Sequence, residues 1–507
     1  FGSRLLHVLI RPLLSHQIVV CMLSARPMSS SPAFVSIQAL PTVRIAPQTA
    51  STSAGIVATA SAPLPSLQAT SPPSWRHASG GGATIAASVV VAFAAAGLTS
   101  GHRRRARLPL RPSQPDRHLR ASKVTSATAV LEKERAQTVA EAAARSTPSP
   151  HDLILCAARG EKCDRTPVWL MRQAGRYMKE FRKYSERYPF RQRSETPEMA
   201  VELSLQCWRR YGMDGVIFFS DILTPLPALG IEFDVIRGRG PIVLGDLART
   251  LEDRLSGPNA IREVASSEDF LATHGFIRET LQTIRKETEG NCSLLGFVGA
   301  PWTLAAYSVE GGSTKDAATF KKWMYEKPAV VEEFLRRMTV TIAQYAIFQV
   351  QSGAQCIQLF DSWAHCMTPD QWLAFAAPSV KRVAETVRAA CPGIPLMYFA
   401  NGGSSYLELQ VEQLSGVVDV LSIDQHIRMS DAAKAAEGSG LILQGNVDPY
   451  VLKFGSEEQI RDVVRRVIDD AGGPGKHILN LGHGVLQGTP EDNVLYLVEE
   501  AQTYGAS

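Results

Sequence analysis

Eight short apolar segments recur between residue 150 and the C-terminus, and most of the intervals between them have the pattern of an amphipathic helix. Short apolar runs bounded by turn-forming residues are typical of strands that are buried on both faces. Strands of this kind, separated by helices, predict a parallel sheet covered by those helices. The segments are PVWLM (167–171), GVIFF (215–219), LLGFV (294–298), QCIQLF (355–360), PLMYF (395–399), DVLSI (419–423), LILQG (441–445) and HILNL (477–481).

Two of the intervening helices have recognisable ends. One is predicted to begin at Thr196, which is followed by Pro and Glu, and to stop at Gly212. Another is predicted to begin at Ser456, because Gln459 stands at the capping-box position, and to end before Gly472. Eight strand–helix units in roughly 350 residues predict a closed (β/α)8 barrel, the TIM barrel. A doubly wound open sheet is the alternative that the pattern leaves open.

The N-terminal part of the chain differs in composition from the rest. Residues 1–122 contain 12 Arg, no Lys, no Glu and a single acid, Asp116, which gives a net charge of +11. The whole chain has 53 basic and 49 acidic residues, so residues 123–507 hold 41 basic and 48 acidic residues, a net charge of −7. An acidic domain of this size is not typical of nucleic-acid-binding proteins.

Residues 1–122 have the composition of a presequence. Ser, Pro, Ala and Thr dominate residues 25–82, and we expect them to be disordered because they bury little apolar surface. The apolar segment 83–98 is shorter than the ~20 residues of a spanning helix, and an Arg-rich segment, 101–120, follows it. This order predicts bipartite targeting to an organelle through a secretory step. A retained membrane anchor and a basic nucleic-acid-binding arm are the alternatives.

The domain boundaries follow from these patterns. We expect residues 123–149 to form a boundary helix or linker and residues 150–507 to form the folded domain. The eight cysteines are scattered and never spaced C-x-x-C, so we expect reduced thiols rather than a disulfide framework or a zinc ribbon.

Sequence patterns for cofactor binding are missing from the chain. No G-x-G-x-x-G follows a predicted strand, and neither H-E-x-x-H nor H-x-C occurs. The phosphate-loop pattern fails near residue 475, because Asp470 and His477 stand at two of its fixed positions. We therefore expect neither a nucleotide nor a metal cofactor.

Polar residues follow almost every predicted strand, where the active sites of (β/α)8 barrels lie. Arg172 and Arg176 follow the first segment within MRQAGRYM. Guanidinium groups bind carboxylates and phosphates through paired hydrogen bonds, so this pair predicts an anionic substrate. The alternative is that each arginine forms an ion pair with the neighbouring strand–helix unit.

Two further residues are candidates for the same end of the sheet. Asp221 follows the second segment, so its carboxylate is expected to be partly desolvated; the alternative is that it pairs with Arg172 or Arg176. His483 stands between two glycines after the last segment, which leaves a functional and a structural role equally open. Asp424 and Asn446 are explained by helix caps and turns.

Six motifs, in order along residues 150–507, resemble those of the uroporphyrinogen decarboxylase family. The segment RYMKEFRKYSERYPFRQRSE (176–195) is closest to the plastid-type members of plants and algae. The motifs are RQAGR (172–176) within PVWLMRQAGRYM, FSDIL (219–223), GAPWTLAAYSVEGG (299–312), LFDSWA (359–364), QGNVDP (444–449) and NLGHGV (480–485).

The resemblance implies a cofactor-free carboxy-lyase on a (β/α)8 barrel, which removes the four acetate carboxyls of uroporphyrinogen III to give coproporphyrinogen III. It places the chain in heme and chlorophyll biosynthesis, as a homodimer in the plastid stroma. It implies a small-molecule tetrapyrrole substrate, no nucleic-acid partner and no stable membrane insertion of the mature domain.

The resemblance also implies roles for individual residues. Arg172 and Arg176 would bind the acetate and propionate groups, and Asp221 would accept hydrogen bonds from the pyrrole N–H groups. The proton donor would be Arg172, a bound water or a substrate carboxyl. The implied catalytic residues are Asp221, Arg172, Tyr307 and His483. The implied substrate-binding residues are Arg172, Gln173, Ala174, Gly175, Arg176, Asp221, Tyr307, Ser362 and His483.

Two other functions are compatible with the same barrel. A corrinoid-linked methyltransferase needs zinc ligands from His and Cys, and the missing H-x-C pattern argues against it. A non-catalytic tetrapyrrole-binding protein would not need Asp221 at the centre of the pocket, so the joint presence of Asp221 and the two arginines disfavours it.

Overall fold

The computed structural model describes residues 152–256, 260–288 and 290–506. The predicted presequence (1–122) with its apolar segment (83–98) and the predicted boundary helix (123–149) lie outside the described residues. Within the described ranges, no helix combines the length and the apolar character needed to cross a membrane.

A parallel sheet forms the centre of the described domain. It contains seven strands in the order β1-β4-β5-β6-β7-β8-β9, and β2 and β3 form a separate antiparallel hairpin. The predicted α/β class is therefore confirmed, and seven of the eight predicted strands are found in place. The strands are β1 Gly215–Ile217, β2 Phe233–Ile236, β3 Gly240–Val243, β4 Ser293–Gly299, β5 Cys356–Asp361, β6 Leu396–Ala400, β7 Val420–Ser422, β8 Ile442–Val447 and β9 Ile478–Leu481.

Helices follow the sheet strands along the chain and bury apolar faces against the common core. Short 3-10 helices cover Leu226–Leu229, Ala364–Cys366 and Gly403–Tyr406, and a π-helical turn covers Trp372–Ala376. The α-helices are α1 Leu153–Ala158, α2 Lys179–Arg187, α3 Phe190–Glu195, α4 Pro197–Tyr211, α5 Leu247–Ser256, α6 Asp269–Thr288, α7 Pro301–Glu310, α8 Ala318–Glu326, α9 Pro328–Gln351, α10 Pro369–Gln371, α11 Ala377–Ala390, α12 Leu407–Leu414, α13 Met429–Ala435, α14 Pro449–Phe454, α15 Glu457–Asp470 and α16 Glu491–Thr503.

The first predicted strand, PVWLM, is not a strand in the structure, and that prediction was wrong. The segment forms one parallel bridge, between Val168 and Leu479. Leu479 N–H donates to the Pro167 carbonyl at 2.9 Å, and Trp169 N–H donates to Leu479 at 3.4 Å. Pro167 has no N–H to donate, and the chain leaves the extended conformation at Arg172, whose φ is +58°. The regular ladder is therefore too short to count as a strand.

The same segment also contacts the other edge strand of the sheet. Asp214, directly before β1, donates its N–H to the Val168 carbonyl at 2.9 Å. Its carboxylate accepts from the Val168 N–H at 2.9 Å and from both terminal nitrogens of Arg165 at 2.6 and 2.9 Å. Residues 167–169 therefore hydrogen-bond to β9 on one side and to the residue before β1 on the other.

Both predicted helix ends are confirmed. Helix α4 begins with Pro197 at its first position and ends at Gly212, which has a left-handed φ of +66°. The capping box of α15 is complete, because Ser456 and Gln459 each accept the other's backbone N–H. None of the seven cysteines among the described residues forms a disulfide.

The sheet interior contains a buried polar network that the apolar pattern did not predict. The Gln444 side chain accepts from the Trp169 indole at 2.8 Å, and it donates to Ser422 at 2.7 Å and to Gln358 at 3.0 Å. All four side chains are almost completely buried. These hydrogen bonds join β5, β7 and β8 to the first segment, and they satisfy polar groups that would otherwise be costly to bury.

Candidate active site

The loop after the first segment presents two arginines without a protein partner. Arg172 and Arg176 are both exposed, and no carboxylate of the described residues lies within 4.0 Å of either guanidinium. Arg182 holds the loop in place by donating to the carbonyls of Arg176, at 3.0 Å, and Tyr177, at 2.7 Å. The alternative in which both arginines form ion pairs with neighbouring units is not found, so the two charges remain available to an anion.

The side chain of Arg172 packs against the chain after β9. A Cβ added at Gly484 would lie 2.6 Å from the Arg172 Cγ, closer than carbon atoms can approach. Gly484 therefore provides the space that Arg172 occupies. This contact explains why a glycine stands beside His483 and joins the first loop to the last strand of the sheet.

Asp221 follows β1 and keeps one carboxylate oxygen free. Its Oδ1 accepts the Leu223 N–H at 2.9 Å, and its Oδ2 accepts no hydrogen bond from the described residues. Burial raises the pKa of the Asp221 carboxyl above 3.8, while the Leu223 N–H and the positive Arg172 oppose that shift. No ion pair within 4.0 Å joins Asp221 to either arginine, so the alternative of a simple salt-bridge partner was wrong.

Tyr307 lies on α7 and is buried against an aromatic ring from the next strand–helix unit. The centres of the Tyr307 and Trp363 rings are 4.0 Å apart. Burial raises the pKa of Tyr307, and the negative Asp221 adds to this rise. The phenol is therefore a neutral hydrogen-bond donor at physiological pH. Ser362, the residue before Trp363, is half-buried, and its carbonyl accepts from the Asn401 side chain at 2.9 Å.

His483 is a neutral imidazole with a defined tautomer. Its Nδ1 accepts the N–H of Gly484 at 2.7 Å, so the ring proton lies on Nε2. Burial lowers the pKa of His483 to about 4, and the positive charge of Arg172 adds to this effect. The ring therefore offers a donor that keeps the same protonation state throughout the neutral pH range.

Residues 173–175 shape the loop. Gln173 is fully buried: its side chain accepts the Leu170 N–H at 3.2 Å and donates to the Gly215 carbonyl at 3.1 Å. Ala174 is half-buried. A Cβ at Gly175 would lie 3.0 Å from the Arg172 carbonyl, so the turn has little room for a side chain.

Arg172 connects the predicted residues electrostatically. Its charge acts on the pKa of Asp221, of Tyr307 and of His483. These groups come from the end of β1, from α7 and from the end of β9, so the fold brings together residues more than 300 positions apart in sequence. The arrangement combines unpaired cations, one partly desolvated carboxylate and two neutral donors.

Comparisons with known proteins show the family of the chain. The family model for uroporphyrinogen decarboxylase (URO-D) matches residues 149–504. The chain is 47% identical over 353 residues to the uroporphyrinogen decarboxylase of the cyanobacterium Picosynechococcus sp., covering 68% of this chain and 95% of that protein. It is 44% identical over 350 residues to the uroporphyrinogen decarboxylase of Synechocystis sp., covering 69% and 96%. The chain belongs to the uroporphyrinogen decarboxylase family.

The family assignment predicted from the six motifs is thus confirmed, and with it the assignment of the chain as a carboxy-lyase. Among solved structures, a methyltransferase from Methanosarcina mazei is similar in fold, with a TM-score of 0.57 and 22% identity. That match covers 70% of this chain and 98% of the methyltransferase. At this identity the likeness concerns the fold alone. Within the described ranges, no three His, Cys, Asp or Glu side chains are grouped so that they could hold a metal ion.

The sequence did not predict the hydrogen-bond network that supports Tyr307 in this uroporphyrinogen decarboxylase family member. Asp361, at the end of β5, is fully buried; it accepts from the Thr303 hydroxyl at 2.5 Å and from the Tyr398 hydroxyl at 2.9 Å. Thr303 in turn accepts the Trp363 N–H at 3.1 Å, which fixes the residue that stacks on Tyr307. Burial raises the pKa of Asp361 to about 6. The LFDSWA motif contains Asp361, but its partners could not be read from the motif.

The two residues assigned to caps and turns are used as predicted. Asp424 accepts from the backbone and hydroxyl of Ser404 and from the His426 N–H. Asn446 donates to the carbonyls of Asp424, at 2.9 Å, and Ile427, at 2.8 Å. Their hydrogen bonds hold the loops after β6 and β7 together.

Proposed function

We propose that this chain converts uroporphyrinogen III to coproporphyrinogen III by removing its four acetate carboxyl groups, without a cofactor. The observation that carries the proposal is an unpaired guanidinium, Arg172, whose charge acts on a carboxylate, Asp221, that keeps one oxygen free, together with a second unpaired guanidinium, Arg176, on the same loop. A substrate with eight carboxylates supplies the anions, and its pyrrole N–H groups supply donors for that oxygen. The net charge of −7 over residues 123–507 makes these local arginines necessary for attracting an anion.

The active-site pocket lies at the carboxyl ends of the strands of a closed (β/α)8 barrel in this proposal. The segment 167–171 occupies the eighth strand position, between β9 and β1. Its hydrogen bonds to Leu479 on one side and to Asp214 on the other support that closure. The similarity in fold to the Methanosarcina protein is compatible with it.

Each decarboxylation replaces a carboxylate by a proton. The pyrrole is first protonated at the ring carbon that neighbours the acetate-bearing carbon, which makes the ring cationic. The bond to the carboxylate then breaks, CO2 leaves, and its electron pair neutralises the ring. A second proton adds to the exocyclic carbon and forms the methyl group, while the ring carbon returns its proton. The net change is the consumption of one proton and the release of one CO2.

Asp221 stabilises the cationic ring in this sequence. Its free oxygen accepts the pyrrole N–H groups, and its negative charge lies beside the ring that becomes positive. Preorganised electrostatic groups of this kind contribute about 3 to 4 kcal/mol to lowering a barrier. Partial burial strengthens the interaction, because less water screens it.

The remaining residues orient the substrate. Arg172 and Arg176 bind acetate and propionate carboxylates, and Tyr307, Ser362 and His483 donate hydrogen bonds to others. Because the His483 proton lies on Nε2 and the Tyr307 phenol is neutral, both offer donors without adding charge. The two arginines are four positions apart in sequence, and the backbone of residues 173–175 joins them on one turn.

The cellular setting is also part of the proposal. The chain acts in heme and chlorophyll biosynthesis in the plastid stroma, as a homodimer, after removal of residues 1–122. The basic, nearly acid-free composition of that segment supports targeting, and the cyanobacterial origin of the similar enzymes supports a plastid setting. A C-terminally tagged full-length chain is expected in plastids, and the same chain without residues 1–122 outside them.

Product analysis tests the activity directly. Anaerobic incubation of the purified protein with uroporphyrinogen III should release four CO2 per molecule through hepta-, hexa- and pentacarboxylate intermediates. Liquid chromatography of the oxidised products and trapping of CO2 provide two independent readings. Recovery of the unchanged octacarboxylate would contradict the proposed function.

A further inference from the structure

Arg193 on α3 is a buried cation that the mechanism above does not use. Its relative exposure is 9%, and its guanidinium faces three phenylalanine rings at 5.5 to 5.7 Å. Its Nε donates to the Tyr188 carbonyl at 3.0 Å. The rings are those of Phe181, Phe190 and Phe219.

No carboxylate of the described residues lies within 4.0 Å of this guanidinium. Its neighbour on the same helix is compensated, because Arg191 pairs with Glu195 and lies 3.6 Å from Glu232. A buried charge is costly unless it is paired, and aromatic faces with one carbonyl offset only part of that cost. The environment of Arg193 is therefore incomplete without an anion.

The position of Arg193 relates it to the proposed pocket. Phe219, one of its three rings, lies two residues before Asp221 at the end of β1. Burial lowers the pKa of Arg193 to about 10, and the positive charge of Arg176 adds to this effect. Arg193 thus remains charged at neutral pH.

An anion that contacts the Arg193 guanidinium would compensate the buried charge. A carboxylate suits the position, since guanidinium groups bind it through paired, charge-assisted hydrogen bonds. The phenylalanine rings exclude water from one side, so such a contact would be screened less than a surface ion pair.

We propose that Arg193 is a third carboxylate-binding arginine of the substrate pocket, in addition to Arg172 and Arg176. The inference rests on the proposed function, because it takes the anion from the octacarboxylate substrate. It assigns to α3 a role in substrate binding that none of the six motifs predicts. The bound carboxylate completes the environment of a cation that the protein alone leaves uncompensated.

Steady-state kinetics of three variants test the proposal. Arg193→Met keeps an unbranched apolar chain against the rings but removes the charge, Arg193→Lys keeps the charge, and Arg187→Met removes one exposed positive charge from α2 as a control. We expect Arg193→Met to raise KM for uroporphyrinogen III about tenfold with kcat within about threefold, because a binding contact is lost. Arg193→Lys should recover part of this loss, and Arg187→Met should match the wild type.

Ligand-induced thermal stabilisation provides a second reading that needs no turnover. The probe is uroporphyrin III, the oxidised octacarboxylate, and the measured quantity is the change in Tm on adding it to each full-length protein. The shift should be smaller for Arg193→Met than for the wild type and for Arg187→Met. Because the shift compares each variant with and without the probe, it remains informative when a substitution lowers the Tm of the free protein.

The two measurements separate the inference from the proposed function. Wild-type protein that stabilises with uroporphyrin III but does not release CO2 would overturn the function, and the thermal shifts would still decide the role of Arg193. An active wild type with an unchanged KM and an unchanged thermal shift in Arg193→Met would overturn the inference. In that case the three rings and the Tyr188 carbonyl alone would be sufficient to stabilise the buried charge of Arg193.

Discussion

Two aspartates stand at the ends of β1 and β5, which β4 separates in the sheet, and they have opposite surroundings. Asp361, at the end of β5, has both carboxylate oxygens hydrogen-bonded by protein hydroxyls and is fully buried. Asp221, after β1, has one oxygen held by a backbone N–H and the other free. The protein therefore satisfies the same residue type completely at one position and leaves one oxygen free of hydrogen bonds from the described residues at the other.

The difference teaches how to separate structural from functional polar groups at the carboxyl edge of the sheet. A side chain that the protein has already satisfied has no hydrogen-bonding capacity left for a substrate. The groups proposed to face the substrate lie between positions 172 and 221: Arg172, Arg176, Arg193 and Asp221. The satisfied network around Asp361 lies behind Tyr307, on β5, β6 and α7.

Asp221→Asn tests the functional side of the comparison and should have the largest effect. The substitution removes the negative charge but keeps the size, so the folded structure should persist while kcat falls about 100- to 1000-fold. Single-turnover measurements with uroporphyrinogen III report this loss, and an exposed control, Asp370→Asn, should retain full activity. Near-native turnover of Asp221→Asn would remove the distinction between the two aspartates.

Gly484→Ala tests whether the position of Arg172 matters. The added methyl group would occupy the space of the Arg172 side chain, and kcat/KM should fall on the order of tenfold to a hundredfold. Gly275→Ala on α6 is the matched control, because a Cβ there meets no atom within 4 Å. Equal activity of the two variants would show that Arg172 moves without consequence.

Asp361→Asn tests the structural side through pH. The pKa of Asp361 in the folded protein, about 6, lies above its ordinary value of 3.8. The folded state therefore holds the proton more tightly, and the stabilisation is greatest below pH 4 and is lost as the pH rises through 6. The shift corresponds to about 3 kcal/mol of unfolding free energy.

Urea unfolding between pH 4 and pH 7 measures this contribution. The stability of the wild type relative to Asp361→Asn should be greatest at pH 4 and should decrease toward pH 7. The activity of the folded variant should fall less than about tenfold, because Asp361 acts on Tyr307 only through Thr303 and Trp363. If the unfolding free energies of the two proteins changed with pH in the same way, the ionisation of Asp361 would not contribute to the pH dependence of stability in this range.

Arg176→Lys should have the smallest effect. Lysine keeps the charge but replaces a two-pronged donor by a single ammonium group, so KM should rise about three- to tenfold while kcat stays the same. Initial rates over a range of uroporphyrinogen III concentrations separate the two parameters, with Arg187→Met as the surface control. An unchanged KM would count against a carboxylate contact at Arg176.

Much of the fold followed from local patterns. Seven of the eight predicted strands and the ends of α4 and α15 agree with the structure, because apolar runs, a proline at a helix start and a capping box act over a few residues. The first segment failed for a local reason as well: Pro167 has no N–H, and the chain turns at Arg172. The β2–β3 hairpin was missed because Phe233–Ile236 and Gly240–Val243 are short and only partly buried.

The candidate site was likewise predicted only in part from the sequence. The positions after the strands led to Arg172, Arg176, Asp221 and His483 because parallel strands present their carboxyl ends at one edge. The unpaired state of the arginines was not readable from the sequence, and neither was the full burial of Gln173. Arg193 lies inside the segment 176–195 that resembles the family, but no local pattern distinguishes it from the other arginines of that segment.

The sequence by itself determined the α/β class, the family and the set of polar residues that follow the strands, since each of these depends on neighbouring positions. Only the tertiary structure decided which of those polar residues the protein satisfies. Asp361 meets Thr303 across 58 positions and Tyr398 across 37, whereas Asp221 meets no second donor. Desolvation and hydrogen bonding depend on what surrounds a group in space, so identical residues acquire different pKa values and different roles.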